Sequence, residues 1–279
     1  MENLYHTVSF KSGKLITQTY STSFSIAVSM LSHRMRKAIY SIYGFVRLAD
    51  EIVDTFLTYN QKELLDRFEE ELYHALKEGL SMNPVIHAFV VTVNQYSIPR
   101  QHIQAFLTSM RDDLHKKEYS ISGELNHYIY GSAEVVGLMC LRVFVNGNTR
   151  QYEELEEPAR KLGAAFQKVN FLRDLKADME QLNRTYFSKC ENGTFDEAIK
   201  HELIEDIEQD FAAALPGIKA LPGKSKIAVW VAYLYYRQLL RKLKITPARE
   251  IMHTRIRVKD SMKLFLFFRA YVSYKLSLI

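Results

Sequence analysis

The sequence predicts an all-α protein, and three observations carry that prediction. Glycine and proline are sparse, 11 and 6 in 279 residues, and the prolines are scattered. Long segments rich in Leu, Ala, Lys, Glu and Arg alternate with short polar breaks, a composition of helix formers. Two acidic motifs repeat a carboxylate at every fourth residue, the spacing that stacks side chains on one helical face. They are Asp50-Glu51-Ile52-Val53-Asp54 and Asn170-Phe171-Leu172-Arg173-Asp174-Leu175-Lys176-Ala177-Asp178. The length suffices for one large core, and residues 1–279 are read as one domain.

The elements follow in order. A first helix is predicted from about Leu15 through Ser29, with a break at Leu31-Ser32-His33. Met35 to Leu57 forms the next and carries the first acidic motif. Asn60 stands as an N-cap with Glu63 in the capping-box position, opening a helix to about Glu78. Asn83-Pro84 restarts the chain with Pro in a first turn, and Ile98-Pro99 opens a helix to about Lys117. A long apolar helix spans Leu125 to Val145 and ends at Asn146-Gly147-Asn148. Glu153 to Asp178 carries the second motif, Thr194 to Ala213 and Lys224 to Leu243 form two more, and a basic, aromatic segment closes the chain. Gly131, Ala133 and Gly137 need a reason, because a helix-interior Gly costs about 1 kcal/mol relative to Ala. Close helix packing is one reason; room for a ligand near Tyr128 and Tyr130, or a local kink beside one, is the other.

Composition removes several function classes. A formal charge of +5 is mild and suits anionic ligands or anionic surfaces, and no nucleic-acid recognition motif is present. Cys140 and Cys190 form no disulfide framework or zinc pattern, and the nine histidines show no metal spacing. His33, His115 and His253 read as surface or core-edge residues. The N-terminus lacks a basic region followed by an apolar stretch. The longest uncharged apolar run, Ile227 to Tyr236, is shorter than the about 20 residues a membrane span needs. The expectation is a cytoplasmic protein, soluble or peripherally membrane-associated.

The two motifs carry the chemistry. Asp50 and Asp54 share a face, as do Asn170, Asp174 and Asp178, with Gln167 one turn earlier. Each D-x-x-x-D alone reads equally well as a solvated face. Here apolar residues flank them, Ile52, Val53 and Phe56 in one segment and Val169, Phe171 and Leu172 in the other. Two such helices facing each other make an oxygen-lined wall suited to Mg²⁺ ions carrying phosphate groups. Arg47 lies three residues before Asp50, Tyr43 four before Arg47, and Arg173 beside Asp174. Carboxylates for Mg²⁺ and arginines for phosphate oxygens are what ionisation of a pyrophosphate requires.

With these residues in view, the sequence resembles the squalene/phytoene synthase family, most of all the bacterial phytoene synthases. The resemblance covers almost the whole chain. It runs through Tyr20-Ser21-Thr22-Ser23-Phe24-Ser25, Arg36 to Tyr43, and Arg47-Leu48-Ala49-Asp50-Glu51-Ile52-Val53-Asp54. It continues through Tyr130-Gly131-Ser132-Ala133-Glu134-Val135-Val136-Gly137, Leu162-Gly163, Phe166-Gln167, Asn170 to Asp174, Asp178, and Arg184-Thr185-Tyr186-Phe187. Asn183 and Ser188 depart from the Gly and Pro of many relatives, and Glu51 is a frequent variant of a second Asp. The resemblance implies an isoprenoid-synthase helical fold around a central apolar cavity. It implies head-to-head condensation of two prenyl diphosphates through a cyclopropyl diphosphate. By position it implies Mg²⁺ on Asp50, Asp54, Asn170, Asp174 and Asp178, with Mn²⁺ as a substitute, and diphosphate contacts from Ser21, Tyr43, Arg47, Gln167, Arg173 and Tyr236. Tyr236 is chosen over Tyr235 for its Tyr-x-x-Leu-Leu spacing.

The expected reaction takes two geranylgeranyl diphosphates to phytoene, with no NADPH. Squalene or dehydrosqualene formation from farnesyl diphosphate is the alternative. A head-to-tail elongase or terpene cyclase matches the surrounding residues poorly, and a non-catalytic homologue need not keep intact acidic motifs. Val28, four residues after Phe24 and seven after Ser21, is expected on the tail side of the cavity, where a small residue leaves room for a C20 chain. Phe24, Tyr128, Tyr130 and the 131–137 segment are the expected lining, and the Lys263 to Arg269 segment is the expected contact with a membrane surface.

Overall fold

The structure, a computed structural model, describes residues 4–116, 119, 122–181, 195–276 and 278–279. Among these residues there is no strand, and the protein is all-α. The first predicted helix is two: α1 (Leu4–Tyr20) and α2 (Thr22–Ser29). Ser21 between them is extended, and its hydroxyl accepts the Phe24 N–H at 3.2 Å, capping α2. Helix α3 (His33–Asp54) follows. Asn60 caps α4 (Gln61–Glu78) through the Glu63 N–H, as the sequence indicated, and α5 (Pro84–Tyr96) opens on Pro84 as expected, with Asn83 accepting the Val85 and Ile86 N–H groups as its cap. Helix α6 is Arg100–Asp113.

The long apolar helix is interrupted. It consists of α7 (Ser122–Ile129), a π turn (Tyr130–Glu134) and α8 (Val135–Phe144). Gly131 explains where the interruption falls. A Cβ there would lie 2.6 Å from the Ala105 carbonyl oxygen of α6, so only glycine admits this approach. Helix α9 (Thr149–Gln181) carries the second acidic motif and pairs with α10 (Glu197–Ala220), α8 and the π turn. Helices α11 (Gly223–Ile245), α12 (Ala248–Ile251) and α13 (Asp260–Lys275) complete the fold.

Two large apolar clusters hold the helices. One joins α3 to α4, α5, α6 and α8 around Phe45, Phe89 and Phe106; the other joins α9, α10, α11 and α13 around Phe171, Phe211 and Leu239. The expectations for Asn183, Arg184, Tyr186, Ser188 and Cys190 lie outside the described residues.

Candidate active site

A cavity of about 450 Å³ separates the two clusters, bounded by α2, α3, α8, α9, α10 and α11. One face of α9 lines its whole length. Leu155, Leu162 and Phe166 come first, then Asn170, Asp174 and Asp178 at the i+4 steps that keep side chains in one row. Leu155 and Asp178 are roughly 34 Å apart along the helix at 1.5 Å per residue. Helix α3 repeats the gradient, with Ile39, Ile42 and Val46 followed by Asp50 and Asp54. Both helices therefore pass from apolar to acidic toward their C-terminal ends.

That end is electrostatically costly. A helix C-terminus already carries partial negative charge, and α3 has no basic residue in its last turn. Arginines bring the compensating charge. Arg173 Nε donates to both Asp174 oxygens at 3.0 and 3.1 Å, and Arg255 Nε forms an ion pair with Asp174 Oδ1 at 2.7 Å. Burial works against the charge on Arg173, but the hydrogen bonds and charge of Asp174 outweigh it and raise its pKa. Arg47 pairs with Glu51, lies 4.0 Å from Asp50, and stacks over the Tyr20 ring.

Of the residues named from the sequence, Val28, Tyr43, Asp50, Asp54, Gln167, Asn170, Arg173, Asp174 and Asp178 line the cavity. Ser21, Arg47 and Tyr236 flank the lining residues, next to Tyr43, Asp50 and Asn170 respectively. Tyr236 donates its hydroxyl to Asn170 Oδ1 at 3.2 Å and stacks on Phe166 with ring centroids 3.9 Å apart. Ser21 lies beside the Tyr43 phenol, whose pKa burial pushes up to about 12 against the opposing Arg47 charge. Phe24, Tyr128, Ala133 and Gly137 line the cavity as expected, whereas Tyr130 and Gly131 serve packing: Arg160 covers the Tyr130 ring and Gly131 meets α6. Half-buried Cys140 also faces the cavity, its thiol raised to about 12 by desolvation. Arg255 was not foreseen; it lies on a non-helical segment, and no local pattern ties it to Asp174.

The carboxylates and Asn170 are an all-oxygen donor set, the chemistry hard divalent cations take. Among the described residues no three His, Cys, Asp or Glu side chains converge into a closed metal cage. Mg²⁺ beside phosphates uses one or two carboxylates per ion and fills the rest of its shell with water and phosphate oxygens. The pairs Asp50/Asp54 and Asp174/Asp178 fit that mode.

An all-α shell around an apolar cavity with acidic helix ends defines an isoprenoid-synthase type of protein. The structure superposes on a solved dehydrosqualene synthase with a TM-score of 0.83, covering 97% of this chain and 98% of that one at 23% identity. Residues 17–262 match the squalene/phytoene synthase family, and the chain belongs to it. It is 30% identical over 260 residues to a phytoene synthase of Arthrospira platensis, covering 84% of each chain. It is 28% identical over 192 residues to a 4,4'-diapophytoene synthase of Staphylococcus haemolyticus, covering 68% of this chain and 66% of that one. The family is one of prenyltransferase-type enzymes acting on prenyl diphosphates.

Proposed function

We propose that this protein condenses two geranylgeranyl diphosphates head to head to give phytoene. The observation that carries the reading is the single cavity wall that is acidic at one end and apolar along the rest. Diphosphates belong at the acidic end and hydrocarbon tails along the apolar stretch. Mg²⁺, or Mn²⁺ in its place, held through Asp50, Asp54, Asn170, Asp174 and Asp178, supplies positive charge to the departing diphosphate.

The chain's own groups do the rest. Arg173, Arg47 and Arg255 offer guanidinium donors to phosphate oxygens, an interaction that strengthens as charge develops on the leaving group. Tyr236 holds the Asn170 amide oxygen in place. The first diphosphate leaves with its bonding electron pair, and the resulting allylic cation is attacked by the second chain's double bond. Loss of a proton closes a cyclopropyl diphosphate. This ionises in turn, rearranges, and loses a second proton to give phytoene, so the balance needs no NADPH. Apolar walls keep water from the cations, and the aromatic faces of Phe24, Tyr43 and Phe166 supply negative quadrupole charge.

Length and width support the C20 substrate. An extended C20 tail has sixteen main-chain carbons and spans roughly 20 Å with C–C bonds near 1.5 Å, which the cavity wall accommodates. Val28, 2% exposed, is a small residue on the α2 side of the cavity. The test is direct competition between labelled geranylgeranyl and farnesyl diphosphates with Mg²⁺, with and without NADPH, followed by hydrocarbon identification. Phytoene from the C20 substrate is expected. Preference for the C15 substrate assigns the chain to squalene or dehydrosqualene formation instead.

A further inference from the structure

Helix α13 is apolar on two faces, and only one of them is covered. Leu266 and Ala270 are buried in the cluster that contains Ile227, Val231 and Leu234 of α11. Both ends are tied down. The Tyr274 hydroxyl donates to the Gly223 carbonyl at the start of α11 at 3.4 Å, and Lys263 Nζ reaches Thr22 Oγ1 at 3.4 Å. The opposite face carries Leu264, Phe265, Phe268, Tyr271 and Val272, a spacing that forms one continuous stripe. These side chains stand in solvent: Phe265 and Phe268 are 57% and 56% exposed, and Leu276 beyond them is 63% exposed. A contiguous apolar patch of this kind marks an interaction surface.

Charge identifies the occupant. Lys259, Arg269 and Lys275 are exposed around the stripe, and Asp260, the one acid between 259 and 275, is paired with Lys263 at 2.9 Å. We propose that the outer face of α13 docks the protein on an anionic lipid bilayer. The helix lies in the interface plane with its apolar side chains about 5–10 Å into the headgroup boundary, while the cations meet anionic headgroups. It rests on the bilayer, since no described helix is long and apolar enough to cross one. A two-fold pairing of this face with a second copy would set Lys259, Arg269 and Lys275 against their own counterparts, which like-charge repulsion disfavours. On its inner side α13 packs on α11, whose Ala228, Val229 and Ala232 line the cavity. One helix layer therefore separates the docking face from the cavity.

The proposal rests on surface chemistry alone and is tested without substrate or metal. The full chain is floated with vesicles of phosphatidylcholine, and of phosphatidylcholine mixed with phosphatidylglycerol. Flotation with the anionic vesicles only, weakening with added salt, is the expected result. The pair Phe265→Ser and Phe268→Ser should lower partitioning about tenfold or more. The triple variant Lys259→Gln, Arg269→Gln and Lys275→Gln should lower it about a hundredfold on the anionic vesicles. Both variants should keep the wild-type circular dichroism and melting temperature, because the altered side chains are exposed. Absence of flotation overturns the proposal, as does flotation unchanged in the serine variant. So does a dimer in solution that the serine variant dissolves while wild type ignores both vesicles, which would make a second copy the occupant.

Discussion

Asp174 forms ion pairs with two arginines, Arg173 beside it and Arg255 from a distant segment. Substituting Asp174→Asn or Asp50→Asn removes charge with little change in volume. Each is expected to abolish turnover while leaving the thermal transition in place. Near-normal rates in both variants at saturating substrate and Mg²⁺ would remove the carboxylates from the mechanism. Arg255→Gln separates the two partners of Asp174. It should tighten Mn²⁺ binding without substrate about fivefold, the equivalent of the roughly 1 kcal/mol an exposed ion pair carries, and it should slow turnover. Mn²⁺ titration followed by electron paramagnetic resonance reads the first effect, and weaker binding would contradict it. The carboxylates were legible in the sequence because a four-residue spacing has one structural meaning in a helix. Arg255 was not, because only the folded chain brings it to Asp174.

Helices α4 and α5 were legible from Asn60, whose side chain accepts the Glu63 N–H, and from Pro84 in a first helical turn. The π turn was legible only in outline: Gly131 and Gly137 marked a local kink as one reading, but its place at Tyr130–Glu134 is set by contact with α6. Gly131→Ala should cost about 1–3 kcal/mol through overpacking against the Ala105 carbonyl. Chemical denaturation checks this, and an unchanged midpoint would mean that the π turn relaxes freely. A second test concerns the junction of α6 with α9. His102 Nε2 lies 2.8 Å from the Tyr152 hydroxyl, and Arg142 stacks over that ring. Burial, aided by the Arg142 charge, lowers the His102 pKa from 6.5 to about 4. The unfolded chain therefore binds the proton first. Stability from this site is complete above pH 6.5 and falls as the pH drops toward 4. His102→Gln should flatten that part of the stability–pH curve, and a slope equal to wild type would assign the acid sensitivity elsewhere.

At the scale of the whole molecule the two acidic ends belong to separate apolar clusters that meet across the cavity. On the proposed function, a diphosphate sharing cations between Asp50/Asp54 and Asp174/Asp178 would tie those clusters together. Mg²⁺ alone should shift the melting temperature little. Mg²⁺ with inorganic pyrophosphate should raise it well above the sum of the separate effects, since both bind only the folded pair of helices. Additive shifts in calorimetry would mean that the two helix ends bind independently. The composition of each helix and the pairing of the two acidic motifs were legible from the sequence, but the close approaches that seat α9, such as Gly163 against the Ala133 carbonyl of the π turn, were not, because only the folded chain brings those backbones together.

Helix α9 also behaves as a ruler. Its acidic and apolar positions are fixed by counting residues along one helix, so the depth of the tail channel changes only in steps that preserve phase. Inserting one residue between Phe166 and Gln167 would turn everything beyond it by about 100° and swing the carboxylates off the wall. Inserting seven would restore phase to within about 20° and lengthen the channel by two turns, roughly 11 Å. Chain-length specificity in such an architecture has two routes open to it. On the proposed function, small adjustments would come from side-chain bulk at positions such as Val28, and large ones in whole turns of the helix that carries both ends of the site.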